Sequence, residues 1–569
     1  MTNYNFSTKK NINNLLFILL FTNFFLSILI SFNSVTLKLS LSILIFFYIY
    51  VFVLLIFNFK NNFEHIYFIF FFIIYWLFAF IPSINAHDDL SSYLVFAEKL
   101  IDTGSLPEEI FSVRRSYNLG GSYLFKGVIS KFNPDFLLMF EPILGIILIS
   151  ILIFSTEISN INKFICFSVL MLSPFFGSKI SLNTEPVFLM SFFSLSILLL
   201  IKNFNKNQKN IPYWSPVILL FLPLLYRPTT FLFNSLLLLI FTYTVYKFFN
   251  KKFYGLVLFV FKKFNLFIYL FISIIFYPFL ISSLKSSGTL IYPILGKGWQ
   301  NEKEIFSDFP LTYYNSIDTF NELLIFLNKF FTDNYLILPI IIFSLILYIR
   351  ENNRIYLFLL FSYLINCIAI SLSIGVDWVF RYSFPTSLAI LIYYIISLDI
   401  KFSINKKLLH AVYILQVIFA VIIYFSLGEN INKKRYASMS LGYSDEIIKQ
   451  MKNLKTIDST DKILTHSIFS LALYKAGYKN IIIYDTPLVM QPWLNENRPV
   501  INNYEYFEDQ FVKYYNKIKI DYFLSDRLFY SNEDVVDKLL KNNFELKSKT
   551  KVNSLNKKEL NLYIYKLNK

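Results

Sequence analysis

The chain has 569 residues, of which 56% are hydrophobic, and its mean hydropathy is +0.52. These values exclude an ordinary soluble fold, because a soluble protein of this length must cover its surface with polar groups. The formal net charge is +16, but the basic residues concentrate in short segments between apolar runs. No soluble segment shows the basic face that nucleic-acid binding requires, so no nucleic-acid partner is expected.

Apolar runs recur along residues 1–427. A bilayer core needs roughly 20 apolar residues per helix, and this criterion predicts about thirteen transmembrane helices. The predicted spans are residues 14–33, 39–58, 65–84, 136–156, 162–180, 186–201, 212–226, 229–247, 265–283, 336–350, 355–374, 384–400 and 408–427. Residues 1–427 are therefore predicted to form a polytopic membrane domain.

Cationic residues are distributed unequally between the two ends of these spans. Connections on the side of the N-terminus contain lysine pairs, as at 251–252, 262–263 and 406–407. Short loops on the other side carry isolated cations such as Arg227. The positive-inside rule then predicts a cytoplasmic N-terminus. We expect an integral protein of a bacterial inner (plasma) membrane, in contact with membrane lipids, with residues 428–569 outside the cytoplasm.

The same count of spans places two long loops outside, residues 85–135 and 284–335. Both mix apolar stretches with Pro, Gly and ionisable residues, and each is long enough to hold short helices on the membrane surface. Residues 320–331 have the amphipathic spacing of such a helix.

Residues 428–569 are predicted to fold as a small soluble α/β domain. Strand-like runs occur at 462–467, 480–485, 519–526, 544–550 and 560–567, with helical patterns near 444–454, 468–476, 505–517 and 533–541. This alternation predicts a parallel or mixed sheet covered by helices. The chain contains neither GxGxxG nor GxxxxGK, so no nucleotide-binding loop is predicted.

The first outer loop contains two charged pairs. Asp88 and Asp89 follow the third predicted span directly, at the boundary between lipid and water. Adjacent carboxylates there are suited to general-base chemistry. Arg114 and Arg115 lie later in the loop, and guanidinium groups are suited to phosphate. The alternative is that these residues solvate the loop and pair with one another.

Three further polar elements lie on the same predicted face. Glu185 stands in a tight turn between two spans, Tyr292 and Lys297 open the second long loop, and Asp377 and Arg381 precede a late span. Each alone fits an ordinary turn or a surface ion pair. Because random solvation would scatter such clusters over both faces, their one-sided placement indicates an active outer face.

These elements resemble the GT-C superfamily of membrane glycosyltransferases, which includes protein O-mannosyltransferases and aminoarabinose transferases. That family has an acidic doublet in its first large outer loop, followed by an aromatic residue and a short helix. It also has an aromatic-Pro element in an outer loop and an Arg-Tyr…Pro element near a late span. The matching residues here are Asp88, Asp89, Tyr93, Ala97, Leu100, Gly104, Tyr292, Pro293, Arg381, Tyr382 and Pro385.

The resemblance implies a GT-C type membrane domain that transfers a sugar, with inversion, from a polyprenyl-phosphate-linked donor. The family doublet is typically Asp-Glu, whereas this one is Asp-Asp, so the general base stays open between Asp88 and Asp89. The implied substrate-binding residues are Tyr93, Arg114, Arg115, Glu185, Tyr292, Lys297, Asp377, Arg381 and Tyr382. The cations would bind the departing phosphate, and Glu185 would contact the acceptor or a metal.

Several alternatives remain open from the sequence. The acceptor could be a glycan, a lipid or a protein, and the carboxylates could act with or without a divalent cation. A polysaccharide polymerase or ligase also acts on lipid-linked sugars. A polytopic transporter or flippase would place ionisable residues near the bilayer midplane on broken helices. The apolar cores of the predicted spans favour the transferase.

Overall fold

A computed structural model gives the fold of this chain. It describes residues 8–31, 36–60, 89–90, 93–103, 121–132, 134–172, 186–205, 214–227, 230–248, 253–260, most of 265–276, 320–374, 379–398, four positions between 411 and 418, 445–483, 519–525, 544–553 and 559–567.

The described part of residues 1–427 is helical. The helices are α1 (Thr8–Ser31), α2 (Thr36–Lys60), α3 (Leu94–Thr103), α4 (Gly121–Phe132), α5 (Gly145–Ser155), α6 (Asn160–Leu172), α7 (Val187–Asn205), α8 (Trp214–Tyr226), α9 (Phe231–Phe248), α10 (Phe253–Val260), α11 (Phe320–Asp333), α12 (Ile337–Glu351), α13 (Ile355–Ile374) and α14 (Val379–Leu398).

These helices are apolar on the outside as well as the inside. In α2, Phe47 and Val51 are buried against the bundle, whereas Phe46 is 71% exposed and Ile56 is 62% exposed. Large apolar side chains that face outward along a helix suit contact with lipid rather than with water. The protein therefore has the surface of a membrane protein.

Most predicted spans coincide with a described helix, but the described residues do not confirm the predicted number of thirteen. Among the described residues, four helices are long and apolar enough to cross a membrane, or five if one bent pair is counted as a span. Five further apolar helices are 10–17 residues long. The predicted span 65–84 and most of 265–283 and 408–427 lie outside the described residues.

One predicted span is interrupted rather than continuous. Residues Pro134–Met139 form a 3-10 helix and Phe140–Leu144 a π-helical turn before α5 begins. Glu141, at the break, has the extended backbone angles φ −144° and ψ 125°. The sequence contains a signal for this break, because Pro142 cannot donate the backbone hydrogen bond of a regular helix. The prediction of one continuous helix over 136–156 is therefore wrong.

Cationic side chains cap one end of the bundle. Lys202, near the end of α7, donates a 2.8 Å hydrogen bond to the carbonyl of Ile396, near the end of α14. Arg350, at the end of α12, donates to the carbonyl of Leu398 at the end of the same helix α14. Helices α7, α12 and α14 thus end together, and basic side chains bind carbonyl groups that helix ends leave unpaired.

Helix α11 is nearly perpendicular to α12. The segments Leu327–Asp333 and Ile337–Glu351 meet at 83°. The predicted amphipathic helix over 320–331 is confirmed as a helix, and the angle suits an element lying along a membrane surface before a span begins.

The C-terminal segment contains a five-stranded mixed sheet. Its elements are α15 (Asp445–Lys452), β1 (Ile463–His466), α16 (Ser470–Ala476), β2 (Ile481–Ile483), β3 (Tyr522–Ser525), β4 (Phe544–Asn553) and β5 (Glu559–Leu567), and the strand order is β2-β1-β3-β5-β4. Strand β1 runs parallel to β2 and β3, and β5 runs antiparallel to β3 and β4. All five predicted strands are confirmed. The helices predicted over 505–517 and 533–541 lie outside the described residues.

Candidate functional site

Helices α3 and α4 pack side by side and run in the same direction. A Cβ atom on Gly127 of α4 would lie 2.5 Å from the carbonyl oxygen of Ala97 in α3 and 2.6 Å from a side-chain carbon of Ile101. Such contacts are too short for any side chain, so glycine allows the two backbones to approach. This close packing fixes the position of α3 relative to α4.

Asp89 lies just before α3, with its side chain facing α4. The residue is 1% exposed. The Lys126 ammonium nitrogen is 4.0 Å from its Oδ1 atom, and the lysine side chain is itself 5% exposed. A carboxylate this deeply buried needs an opposite charge nearby, because desolvation otherwise disfavours its ionised form. The pair is a buried ionic contact at the point where the predicted outer loop begins.

Aromatic rings enclose this ion pair. The Lys126 ammonium lies 5.7 Å from the centre of the Tyr93 ring, within the range of a cation–π contact. The Tyr93 and Tyr123 rings are 6.4 Å apart, and the Tyr123 ring is 5.9 Å from that of Phe96. Positions 123 and 126 are three residues apart and share one face of α4, so both project toward α3.

A second acidic residue is buried in the same part of the bundle. Glu141, at the break before α5, is 1% exposed, and the ring of its neighbour Phe140 lies 5.3 Å from that of Phe125, the neighbour of Lys126. The Glu141 carboxylate accepts hydrogen bonds from the backbone N–H groups of Phe188 at 2.6 Å and Leu189 at 3.4 Å. These amides belong to the first turn of α7, where a helix leaves its N–H groups unpaired and presents a positive dipole end.

Two arginines converge on one tyrosine at the same end of α7. The guanidinium carbon of Arg227, directly after α8, is 5.5 Å from the centre of the Tyr382 ring, and that of Arg381 is 5.7 Å from it. Arg227 is only 3% exposed. The arrangement concentrates two positive charges around a ring at the start of α14, and guanidinium groups so placed are suited to bind an anionic oxygen.

The ring of Tyr226 connects this arginine pair with the Asp89 region. It lies 6.0 Å from the ring of Phe125, the neighbour of Lys126, and 6.0 Å from that of Phe140, the neighbour of Glu141. Arg227 follows Tyr226 in the chain. The buried charges therefore lie around one aromatic cluster at one end of the bundle.

The structure describes four of the predicted site residues: Asp89, Tyr93, Arg381 and Tyr382. It places Asp89 beside Tyr93, and Arg381 beside Tyr382. The other predicted site residues lie outside the described part of the chain: Asp88, Arg114, Arg115, Glu185, Tyr292, Lys297 and Asp377.

Sequence reasoning missed Lys126, Glu141 and Arg227 as site residues. Lys126 and Glu141 each stand alone among apolar neighbours, a context in which a charge must find a buried partner. The sequence therefore contained a signal that Lys126 and Glu141 are each paired in the fold. Arg227 was assigned to a short outer loop, and only the tertiary structure shows that it is buried, with its guanidinium group beside the Tyr382 ring of α14.

Within the described residues, no group of three or more His, Cys, Asp or Glu side chains could hold a metal ion. Asp88, Glu185 and Asp377, the other acidic residues of the predicted site, lie outside those residues. No family model matches the sequence, and no curated protein and no solved structure matches it either.

Proposed function

We propose that this protein is an integral membrane glycosyltransferase that transfers a sugar from a polyprenyl-phosphate-linked donor to an acceptor hydroxyl. The observation that carries the proposal is the burial of Asp89 beside Lys126 and Tyr93, directly after a predicted span. A carboxylate held there is suited to act as the general base of a reaction on a lipid-bound substrate. Asp88 stays the alternative base.

The proposed reaction is a single inverting displacement. The carboxylate takes the proton of the acceptor hydroxyl while the hydroxyl oxygen attacks the anomeric carbon. The bond between that carbon and the phosphate oxygen breaks, and its electron pair stays on the departing lipid phosphate. The acceptor thereby gains the sugar through a new carbon–oxygen bond.

The departing phosphate needs positive charge, which Arg227 and Arg381 would supply. Arginine can hold phosphate oxygens in a fixed geometry, and this stabilisation grows where water is excluded. The predicted cations Arg114, Arg115 and Lys297 would add to it. A lipid-linked donor also accounts for the absence of nucleotide-binding loop motifs from the sequence.

The proposed orientation places this site outside the cytoplasm. The opposite end of the bundle carries Lys202 and Arg350, and basic residues accumulate on the cytoplasmic side of membrane proteins. The C-terminal domain would lie on the outer side too, because Lys475 of α16 and Lys479, three residues beyond that helix, form ion pairs with carboxylates of α3.

Single Asp88→Asn and Asp89→Asn variants test the proposal. Purified, reconstituted protein is incubated with polyprenyl-phosphate sugars carrying a radiolabelled hexose or pentose, with native membranes as the source of acceptor. We expect one variant to lose about 10²- to 10⁴-fold in transfer rate. Glu157→Gln, an exposed carboxylate after α5, is the matched control. Full transfer by both aspartate variants and by the double variant would remove the assignment of the base.

A transporter is the second candidate, and Glu141 is the observation that favours it. A buried carboxylate at an interrupted helix is the arrangement in which transporters bind ions or substrates. Solute uptake into sealed vesicles by the purified protein, without a covalent product and with loss of uptake in Glu141→Gln, would support the transporter instead.

A further inference from the structure

The C-terminal end of α3 is attached to the C-terminal domain by a buried carboxylate. The side chain of Glu98 is 1% exposed. The Lys475 ammonium of α16 lies 3.1 Å from one carboxylate oxygen, and the Lys131 ammonium of α4 lies 3.3 Å from the other. The hydroxyl of Ser130 donates a 2.7 Å hydrogen bond to the same carboxylate. Glu98 thus joins three helices from two domains.

One turn further along α3, Asp102 also binds both the C-terminal domain and α4. It accepts a 2.7 Å hydrogen bond from the hydroxyl of Tyr474 and a 3.0 Å hydrogen bond from the Lys479 ammonium. Lys131 of α4 lies 2.8 Å from its other oxygen. The Lys479 ammonium also lies 3.9 Å from the centre of the Tyr474 ring. We call Glu98, Asp102, Tyr474, Lys475 and Lys479 the clasp.

A backbone contact supplements the clasp. Lys99, 6% exposed, donates a hydrogen bond from its ammonium to the carbonyl of Ile481, the first residue of β2. Three residues of the short helix α3, Glu98, Lys99 and Asp102, therefore bind the C-terminal domain. Ionic contacts of this density are unusual for a solvated surface helix, whose charged side chains ordinarily face water.

The clasp and the candidate site occupy the two ends of one closely packed helix pair. Asp89 and Tyr93 lie at the start of α3, whereas Glu98 and Asp102 lie toward its end. On α4, Lys126 and Ser130 are one turn apart on the same face, so the partner of Asp89 and a partner of Glu98 move together. Between the two ends, the backbones of Ala97 and Gly127 are in close contact, so a displacement of α3 at the clasp would also change its position beside α4 near Asp89.

We propose that the C-terminal domain positions the candidate site: through the clasp it holds α3 against α4 and so keeps the Asp89 carboxylate beside the Lys126 ammonium. Glu98 and Asp102 are positioning residues, since they act through α3. The inference deepens the proposed function by giving the C-terminal domain a role at the same site. Its test does not depend on sugar transfer.

The experiment measures the reactivity of Lys126 in the full-length protein. Lys126 is 4% exposed, so an amine-reactive reagent should modify it slowly, as quantified by mass spectrometry of its peptide. In the Lys475→Met, Lys479→Met double variant we expect its labelling to rise several-fold. The matched control removes two exposed lysines from α15 of the same domain, in the Lys449→Met, Lys452→Met double variant, and should leave labelling unchanged.

Two further measurements separate positioning from general unfolding. The native Cys166 and Cys367 are buried in the membrane domain and should stay protected from a thiol reagent in the Lys475→Met, Lys479→Met variant. The Lys475→Arg, Lys479→Arg variant keeps both charges and should restore the protection of Lys126.

Unchanged Lys126 labelling in the methionine double variant would overturn the inference. So would labelling that rises equally at Lys126 and at both cysteines, because the C-terminal domain would then support the whole fold rather than the site. A lack of transfer by the unaltered protein would count against the proposed function alone and would leave the labelling result valid.

Discussion

The carboxylate of Glu141 accepts a 2.6 Å hydrogen bond from the backbone N–H of Phe188, in the first turn of α7. An acidic side chain from a broken helix thus caps the N-terminus of α7, an apolar helix most of whose side chains are buried. The two carboxyl oxygens thereby accept hydrogen bonds from backbone amides that a helix N-terminus leaves unpaired.

This contact predicts that Glu141 stabilises the fold. Each carboxyl oxygen accepts one backbone N–H, so Glu141→Gln, whose amide has only one acceptor oxygen, leaves one N–H of α7 without a partner, and we expect it to lower the free energy of unfolding by about 1–3 kcal/mol. Thermal unfolding in detergent would show a lower midpoint. Glu157→Gln, an exposed carboxylate beyond the other end of α5, should leave the midpoint unchanged. An unchanged midpoint for Glu141→Gln would mean that the cap contributes little.

The contact between α3 and α4 predicts that Gly127 accepts no side chain. A Cβ there would lie 2.5 Å from the carbonyl oxygen of Ala97, so Gly127→Ala must push the helices apart, at a cost of about 1–3 kcal/mol. Gly127→Leu should prevent stable folding. Phe132→Ala, at a residue 62% exposed at the end of α4, should change stability by less than about 0.5 kcal/mol. Thermal unfolding of the three variants provides the measurement.

The clasp predicts that acid weakens the docking of the C-terminal domain. Burial would raise the pKa of Asp102, but hydrogen bonds from Lys131, Tyr474 and Lys479 outweigh it and hold the pKa below its ordinary value. A carboxyl with a lowered pKa stabilises the folded state above the unfolded-state pKa, about 3.9, and this contribution is lost as the pH falls through the lower folded-state pKa.

Docking should therefore be constant from pH 7 to about pH 4 and weaken below it. The measurement is amide hydrogen exchange in α3 and α16 as a function of pH, corrected for the intrinsic rate. Asp102→Asn should weaken docking at neutral pH and remove this part of the acid response. Asp445→Asn, in the first turn of α15, should retain the response. If docking responded equally to acid in Asp102→Asn and in the unaltered protein, the acid response could not be assigned to Asp102.

The stacking around Tyr382 predicts a role for Arg227 in donor binding. Arg227→Lys keeps the positive charge but loses the planar group that can stack on the ring and hold two phosphate oxygens. We expect it to raise the KM for a polyprenyl-phosphate donor by about tenfold, which corresponds to about 1.4 kcal/mol, with a larger loss for Arg227→Gln. Arg354→Gln, an exposed arginine between α12 and α13, is the control. Equal KM values for all these proteins would exclude Arg227 from donor binding.

The sequence predicted the secondary structure well because hydrophobic pattern is a local property. Helices α2 and α13 begin and end close to the predicted spans, whereas α1 and α14 begin about one turn or more before theirs, and all five strands of the C-terminal sheet lie within or near the predicted runs. The break before α5 was missed, although Pro142 marks it, because the apolar residues on both sides dominate a window average.

The site could be predicted only in part. Asp89 and Tyr93 are only four positions apart in the chain, so a motif could identify them together, as it could the neighbours Arg381 and Tyr382. Lys126 comes from α4, Glu141 from the break before α5 and Arg227 from the residue after α8, all far from these motifs in the sequence. A single sequence carries no signal for such pairing, because the distance between two helices depends on how all the side chains between them pack.

The sequence by itself determined that this is a largely helical protein with membrane-compatible helices and a small mixed sheet, since apolar spans and alternating strands follow from the burial of neighbouring residues. Only the tertiary structure decided which buried charges meet. Asp89 pairs with Lys126, Glu141 accepts hydrogen bonds from the first turn of α7, and Glu98 pairs with Lys475 of the C-terminal domain. A charge removed from water must have a partner, but which of the available partners it meets depends on the three-dimensional packing of the helices.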